Sequence, residues 1–173
     1  MEYSRFSLEG PLLITTDRHP DIRGFFSEYY QQAKYSELGI PNFLQDNISL
    51  SAKGVFRGLH WQEYPHSQGK LVSCLVGKIV DFFVDIRPGS PTYLKYDSVV
   101  LSGENPKSLW VPEGFAHGFL SLEDETLVHY KVTNYWEPSA ERSLTFEHLD
   151  LSDWIDLTEL IVSDKDLMAP KSL

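Results

Sequence analysis

A series of short apolar runs lies between about residues 43 and 136, separated by breaks rich in glycine, proline, serine and asparagine. The runs are rich in Val, Ile, Phe, Tyr and Leu, which suit β-strands. In chain order they read NFLQDNISLS, GVFRGLHW, KLVSCLV, IVDFFVDI, TYLKYDSVVLS, SLWVPEG, HGFLSL and LVHYKVTNYW. Short strands at this spacing are typical of an antiparallel β-sandwich or barrel. We therefore predict an all-β fold.

The breaks predict particular turns and few helices. Gly77 and Lys78 separate two alternating runs at tight-hairpin spacing, and RPGSPTY supplies a longer turn. One early segment, YYQQAKYSELGIP, reads as a helix, because Gly39 can close it in a left-handed conformation and Pro41 cannot continue it. The tail becomes polar and irregular, with one or two short helices expected.

Composition limits the classes of partner. No linker, repeat or low-complexity tract divides the chain, so we predict one domain over residues 1–173. The net charge is -10, from 15 Lys plus Arg against 25 Asp plus Glu, which disfavours binding to nucleic acid or an anionic membrane. The sequence has neither a signal-peptide pattern at its start nor a run near the roughly 18 apolar residues of a membrane span. We expect a cytoplasmic protein.

Two polar side chains fall on apolar strand faces. Side chains alternate along a strand, so Lys70 lies in step with Val72 and Cys74 in KLVSCLV. By the same alternation, Tyr130 lies in step with Val128 in LVHYKVTNYW. A buried ammonium without a partner is costly, which makes Lys70 a candidate functional residue. The sequence therefore predicts that both side chains point into the interior.

The stretch GVFRGLHWQ adds an arginine and a histidine to this set. In a regular strand Arg57 and His60 have opposite parity and face opposite sides. For both to reach one cavity the ladder must slip, and Gly58, which lacks a Cβ, suits a bulge. Each polar residue alone has a structural explanation, such as a core histidine that is fully hydrogen-bonded. Together they predict a functional cavity inside the sandwich.

Five linked stretches resemble the dTDP-4-dehydrorhamnose 3,5-epimerase family. They are DIRGFFSE, LQDNISLSAKGVFRGLHWQ, GKLVSCLVGKIVDFFVDIRPGSPTY, LWVPEGFAHGF and YKVTNYWEPSAERS. The resemblance extends from about residue 11 to the closing SDKDLMAP. It implies a cupin-type antiparallel β jelly roll with a few short peripheral helices, a homodimer, a nucleotide-sugar substrate and no cofactor. Metal-binding cupins carry a His-x-His and a Glu, whereas GLHWQE has one histidine, so no metal is expected.

The resemblance also implies roles for four catalytic residues. A 4-keto sugar has acidic protons at C3 and C5, because loss of either gives an enolate delocalised onto the C4 oxygen. By the resemblance, His60 is the base and Asp166 is its partner. Tyr130 returns a proton on the opposite face, and Lys70 stabilises the charge on the C4 oxygen.

Nine further positions match residues that contact the nucleotide sugar in this family. One of them is Trp136, at a position where the family usually has a tyrosine stacked on thymine. The full set is Arg23, Glu28, Gln45, Asn47, Arg57, His117, Trp136, Glu141 and Lys165.

Two other functions remain open at this point. A relative that epimerises only C3 or only C5 would use the same His, Tyr and Lys, because the outcome depends on the pose of the sugar. A non-catalytic jelly-roll module that binds sugars is the alternative from another class. The set of His60, Lys70, Tyr130 and Asp166 argues against it, because binding alone does not need a base facing an acid.

Overall fold

The computed structural model describes residues 1–172, and most of its regular structure is β. The strands are β1 (Glu2–Arg5), β2 (Leu12–Thr15), β3 (His19–Asp21), β4 (Gly24–Phe26), β5 (Gln45–Ser51), β6 (Val55–Gln62), β7 (Lys70–Val76), β8 (Lys78–Asp85), β9 (Tyr96–Ser102), β10 (Lys107–Val111), β11 (Phe115–Ser121), β12 (Thr126–Val132), β13 (Glu141–Ser143) and β14 (Ile161–Val162). The helices are α1 (Gln32–Ser36) and α2 (Asp164–Leu167), with 3-10 turns at Pro138–Ala140 and Leu157–Glu159. The predicted all-β class with a few short helices is confirmed.

Two six-stranded sheets lie face to face. Sheet I has the order β1-β2-β10-β7-β12-β5, and sheet II has the order β13-β6-β11-β8-β9 with β14 added beside β6. Among the described strands the pairs are antiparallel except β14 and β6, which run parallel. Strands β3 and β4 form a separate hairpin.

Alternate residues of the strands form the core between the sheets. Val72 and Cys74 of β7 and Val128 of β12 pack with Phe83 and Phe119 from sheet II. All five side chains are buried. This confirms the inward parity that the sequence predicts for the faces carrying Lys70 and Tyr130.

The outer face of sheet II is also covered. Leu149, Leu151 and Ile155 of the irregular tail pack with Phe56 of β6 and Phe82 of β8. Strands β8 and β11 are therefore buried on both faces, which explains why IVDFFVD and FAHGFLS show little alternation of apolar and polar residues. The tail is thus part of the core, although its sequence reads as polar and irregular.

The α1 segment covers part of sheet I. Tyr35 and Ile40 pack with Leu71 and Trp110 on that face. Gly39 ends the segment at φ 78°, so the predicted left-handed closure is confirmed. No helix within residues 1–172 combines the length and the apolar character needed to cross a membrane.

Candidate active site

Strand β6 contains an irregularity next to the interior of the sandwich. His117 of β11 pairs with His60, whereas Phe119 pairs with Arg57. An advance of two residues along β11 therefore corresponds to three residues along β6. The extra residue in β6 makes a bulge at the position of Gly58. Because of it, Arg57 and His60 both line one internal cavity. The predicted bulge is confirmed.

Two adjoining cavities lie between the sheets on either side of His60, Lys70 and Tyr130. The cavity that contains Asp166, which we name the catalytic cavity for its candidate role, has a volume of about 280 Å³, and the outer cavity has a volume of about 270 Å³. The catalytic cavity is lined by Ser49, Arg57, His60, Lys70, Val72, His117, Phe119, Val128, Tyr130, Ser163, Lys165 and Asp166. The outer cavity is lined by Gln45, Asn47, His60, Trp61, Gln62, Gln68, Lys70, Tyr130, Trp136 and Glu141.

His60 forms a close pair with Asp166. The distance from His60 Nε2 to Asp166 Oδ1 is 2.6 Å, and the Gly58 N–H donates to Asp166 Oδ2 at 3.3 Å. Burial raises the pKa of Asp166, but the hydrogen bond and charge of His60 and the Gly58 N–H outweigh it and lower the pKa below its usual value. Asp166 is therefore a carboxylate that orients the imidazole and can stabilise an imidazolium.

Helix α2 brings Asp166 to this position. Ser163 precedes the helix, and its Oγ accepts a hydrogen bond from Asp166 N at 3.3 Å. The preceding strand, β14, pairs with β6 near Val55 and Phe56. The tail is thus attached to the strand that holds His60, which aligns the two partners.

Lys70 lies on the opposite sheet from His60, and its side chain is partly buried. Its Nζ donates to the backbone oxygen of His60 at 3.2 Å. Burial lowers the pKa of Lys70 to about 8, against the attraction of Asp81 and Glu141. At neutral pH the side chain is mostly an ammonium that lines the cavity, which suits it to stabilise a negative oxygen.

Tyr130 lies on β12 in sheet I, whereas His60 lies on β6 in sheet II. The phenol and the imidazole therefore reach the cavity from opposite walls. Burial raises the pKa of Tyr130, with Arg57 opposing and Glu141 reinforcing the shift. The hydroxyl stays protonated at neutral pH and can donate a proton.

A second His–Asp pair lies beside the first. His117 Nε2 is 2.6 Å from Asp81 Oδ1, and both residues are buried. Burial raises the pKa of Asp81, opposed by the charge and hydrogen bond of His117. Sequence reasoning did not identify Asp81. The signal was available, because in IVDFFVDI this carboxylate falls in step with Ile79 and Phe83, as Lys70 does with its apolar neighbours.

The outer cavity contains an ordered pair of amides beside an exposed indole. Gln45 Nε2 donates to Asn47 Oδ1 at 2.9 Å, and Gln45 Oε1 accepts from the Trp136 backbone N–H at 3.1 Å. Trp136 is 57% exposed, so its ring offers a free surface for stacking. These groups can hold the flat, polar part of a ligand whose other end lies near His60.

Charged side chains connect the two cavities. Arg57 is held against β5, its Nε donating to Ser51 Oγ and its Nη2 to the Leu50 oxygen, each at 3.1 Å. Lys165 of the catalytic cavity pairs with Glu141 of the outer cavity at 2.8 Å. Cationic groups therefore line the catalytic cavity of a chain whose net charge is -10, which suits an anionic ligand.

Two predicted residues lie elsewhere. Arg23 is on the turn of the β3–β4 hairpin, where it pairs with Asp21, and Glu28 pairs with Lys34 beyond β4. Neither lines the catalytic or the outer cavity of its own chain. The fold thus brings together eleven of the thirteen residues that the resemblance implies, and leaves Arg23 on the exposed β3–β4 hairpin and Glu28 just beyond it.

The arrangement can remove and return a proton at carbon. It holds an imidazole–carboxylate pair, a facing phenol and an ammonium in one cavity of a two-sheet β-sandwich. Within residues 1–172, no cluster of three or more His, Cys, Asp or Glu side chains is arranged to hold a metal ion. A β-sandwich with this set of acid and base groups indicates an enzyme that works by proton transfer, as isomerases that invert a carbon centre do.

The comparisons identify the family. The family model described as dTDP-4-dehydrorhamnose 3,5-epimerase matches residues 5–172, and the chain belongs to this family. A dTDP-4-dehydrorhamnose 3,5-epimerase of Shigella flexneri is 45% identical over 153 residues, 87% of this chain and 84% of that protein. The predictions of the family, of an isomerase and of its 3,5-epimerase activity are confirmed.

Solved structures of relatives have the same fold. The dTDP-4-dehydrorhamnose 3,5-epimerase of Elizabethkingia anophelis matches with a TM-score of 0.91 and 42% identity, covering 98% of this chain and 95% of that one. A Legionella pneumophila dTDP-6-deoxy-D-glucose-3,5-epimerase in complex with dTDP-4-keto-L-rhamnose has the same TM-score and identity, with 98% and 91% covered. The predicted cupin-type jelly roll is confirmed.

Proposed function

We propose that this chain converts dTDP-4-keto-6-deoxy-D-glucose into dTDP-4-keto-L-rhamnose, inverting C3 and C5 with its own side chains as acid and base. Family membership supports the reaction. The observation that carries the proposal is the convergence of His60, Asp166, Lys70 and Tyr130 in one cavity.

His60 is the proposed base at both carbons. Its pairing with the Asp166 carboxylate supports this role, because the carboxylate orients the ring and stabilises the imidazolium formed when a proton is taken. The electron pair of the broken C–H bond moves onto the C4 oxygen and forms an enolate. One base serves both centres, because both carbons are adjacent to the same ketone.

Lys70 and Tyr130 complete the proposed cycle. Lys70 lines the cavity beside His60, which supports a role as the cation nearest the C4 oxygen; such a donor is commonly worth about 3 kcal/mol of barrier. Tyr130 gives a proton to the opposite face of the enolate, which inverts the carbon. Proton exchange with solvent then restores the phenol and the neutral imidazole.

The outer cavity is the proposed nucleotide site. Trp136 stacks on the base, and Gln45 and Asn47 bond to polar groups near it. Arg57 and Lys165 bind the diphosphate, which bridges the outer and catalytic cavities. His117 and Glu141 contact the sugar from the walls of the two cavities.

We also propose a homodimer in which the β3–β4 hairpin of each chain reaches the partner. The hairpin projects apolar side chains, with Ile22 104%, Phe25 58% and Phe26 70% exposed. Such a patch favours burial against another surface. Arg23 and Glu28, which lie at this hairpin, would then contribute to the partner's nucleotide site.

Turnover in deuterated water tests the reaction. The chain is incubated with dTDP-4-keto-6-deoxy-D-glucose, and the C3 and C5 positions are followed by proton NMR and mass. Deuterium at both carbons of an L-rhamno product is expected. Deuterium at only one carbon would assign a mono-epimerase instead. No exchange with an intact, folded protein would remove the proposed substrate, and nucleotide binding without exchange would support a non-catalytic module.

A further inference from the structure

Two glycines touch where β6 passes β11. A Cβ placed on Gly118 would lie 2.7 Å from the backbone oxygen of Arg57 and 3.0 Å from the Gly58 Cα. A Cβ placed on Gly58 would lie 2.6 Å from the Gly118 Cα and 2.8 Å from the backbone oxygen of His117. The obstructing atoms are backbone atoms, so a side chain at either position would force the two strands apart.

This contact lies next to the two histidines in the β6–β11 ladder. Gly58 is two residues before His60, and Gly118 directly follows His117; the two histidines are opposite one another in the β6–β11 ladder. The contact therefore fixes how closely the strands that hold both imidazoles approach.

The contact also directs a backbone donor. Gly58 lies in the bulge, at φ 130°, and its N–H donates to Asp166 Oδ2. Both carboxylate oxygens of Asp166 are thereby engaged, one by His60 and the other by Gly58. A shift of β6 away from β11 would move this donor relative to the carboxylate.

We propose that Gly58 and Gly118 form a positioning contact that aims the Gly58 N–H at Asp166 and so holds the His60–Asp166 pair in its working geometry. The role rests on the proposed function, because it serves the base of that reaction. The glycines act through the pair and do not touch the substrate.

The variant Gly118→Ala tests the contact without adding backbone strain at the substituted residue. Of the two glycines, only Gly58 has a positive φ, which residues with a Cβ rarely adopt. We expect kcat to fall about 10- to 100-fold with KM changed less than about 2-fold, since displacement of a catalytic group by about 1 Å can cost 10²-fold. The acid limb of kcat/KM should move to higher pH. Loss of the Gly58 donor destabilises the carboxylate, so the His60–Asp166 pair takes up a proton more readily.

The substitution removes no other charged or titratable group around this pair. Those groups are Arg57, Lys70, Asp81, His117, Tyr130, Glu141 and Lys165. Because Gly118 directly follows His117, the His117–Asp81 pair also moves with β11, and NMR of the Gly58 amide is needed to assign the shift to the His60–Asp166 pair.

Gly103→Ala is the matched control. A Cβ there would lie 2.6 Å from the backbone oxygen of Leu75, which is a similar clash with backbone. Gly103 directly follows β9 and lies beside the turn of the β7–β8 hairpin. The control variant should lower the thermal midpoint without changing kcat or the acid limb. If Gly118→Ala keeps the wild-type kcat and acid limb, or if Gly103→Ala reproduces both changes, the inference is overturned.

A measurement on the unmodified protein covers the case in which Gly118→Ala does not fold. The Gly58 amide resonance should shift as pH falls and Asp166 takes up a proton, because the amide bonds to that carboxylate. An amide that does not follow this titration would overturn the inference. If the unmodified protein lacks epimerase activity, the proposed function fails, whereas the NMR result still decides whether the contact exists.

Discussion

His60 and Tyr130 approach the cavity from opposite sheets, so their removal should have different consequences. We expect His60→Ala to abolish deuterium exchange at C3 and C5, a loss of about 10²- to 10⁴-fold. Tyr130→Phe should retain exchange, because the base remains, but form inverted product slowly. Proton NMR in deuterated water separates exchange from inversion. Inversion at the wild-type rate in Tyr130→Phe would assign the acid to another group.

The charge of Lys70 should set the alkaline limit of activity. Its pKa of about 8 means that the ammonium is lost as pH rises through about 8, and stabilisation of the enolate is lost with it. We expect kcat/KM to fall above that pH, and Lys70→Met to lower kcat about 10²- to 10³-fold. Lys70→Arg keeps its positive charge at alkaline pH, so the fall in kcat/KM should move to higher pH in this variant. A limb unchanged in that variant would assign the titration to another residue.

Strand parity predicts the orientation of some of the site residues and fails for others. It placed Lys70 and Tyr130 inward correctly, because each side chain shares a face with buried Val and Cys side chains. The same rule applies to Asp81, which sequence reasoning passed over. For Arg57 and His60, parity alone gives the wrong answer, and the bulge corrects it.

The irregular tail forms a layer of the fold that covers the outer face of sheet II. Leu151 is 3% exposed and packs on the outer face of sheet II, so we expect Leu151→Ala to reduce the free energy of unfolding by about 2–5 kcal/mol. Leu157 lies in the same tail at 56% exposure, and Leu157→Ala should change it by about 0.5 kcal/mol or less. Urea unfolding compares the two. Equal losses would show that the tail does not stabilise the sheet.

The strands were easier to predict than the tail. Alternating or continuous apolar runs bounded by glycine and proline predict strands from local sequence alone, and the hairpin at Gly77, with φ 76°, follows the same logic. In LDLSDWIDLTELI the apolar residues are interrupted by charged and polar residues and do not keep a strand alternation throughout. Its path depends on contacts with Phe56 and Phe82, which are distant in the sequence.

At the scale of the whole molecule, the proposed dimer predicts complementation between inactive variants. His60→Ala lacks the base, and Arg23→Ala lacks the hairpin arginine. If Arg23 serves the partner's site, a mixed dimer contains one site with both residues intact. Random exchange of equal amounts should restore about a quarter of wild-type activity.

Two measurements accompany that experiment. Sedimentation equilibrium should give a mass of about twice the 19.9 kDa chain, as expected for a two-fold dimer. A mixture that stays inactive after subunit exchange would show that Arg23 serves its own chain. A monomeric mass at working concentration would remove the dimer. The prediction of one domain over residues 1–173 stays a prediction.

Local sequence was enough to predict the β-class, the positions of most strands and turns, and the inward orientation of Lys70 and Tyr130, because alternation and turn chemistry are local properties. Its motifs also specified the family and, through the resemblance, the partnership of His60 with Asp166. The tertiary structure was needed to show how the tail brings Asp166 to His60 and that Asp81 meets His117, since residues separated by 106 and 36 positions become neighbours through sheet pairing and the path of the tail. Such contacts depend on long-range packing, which no local pattern encodes.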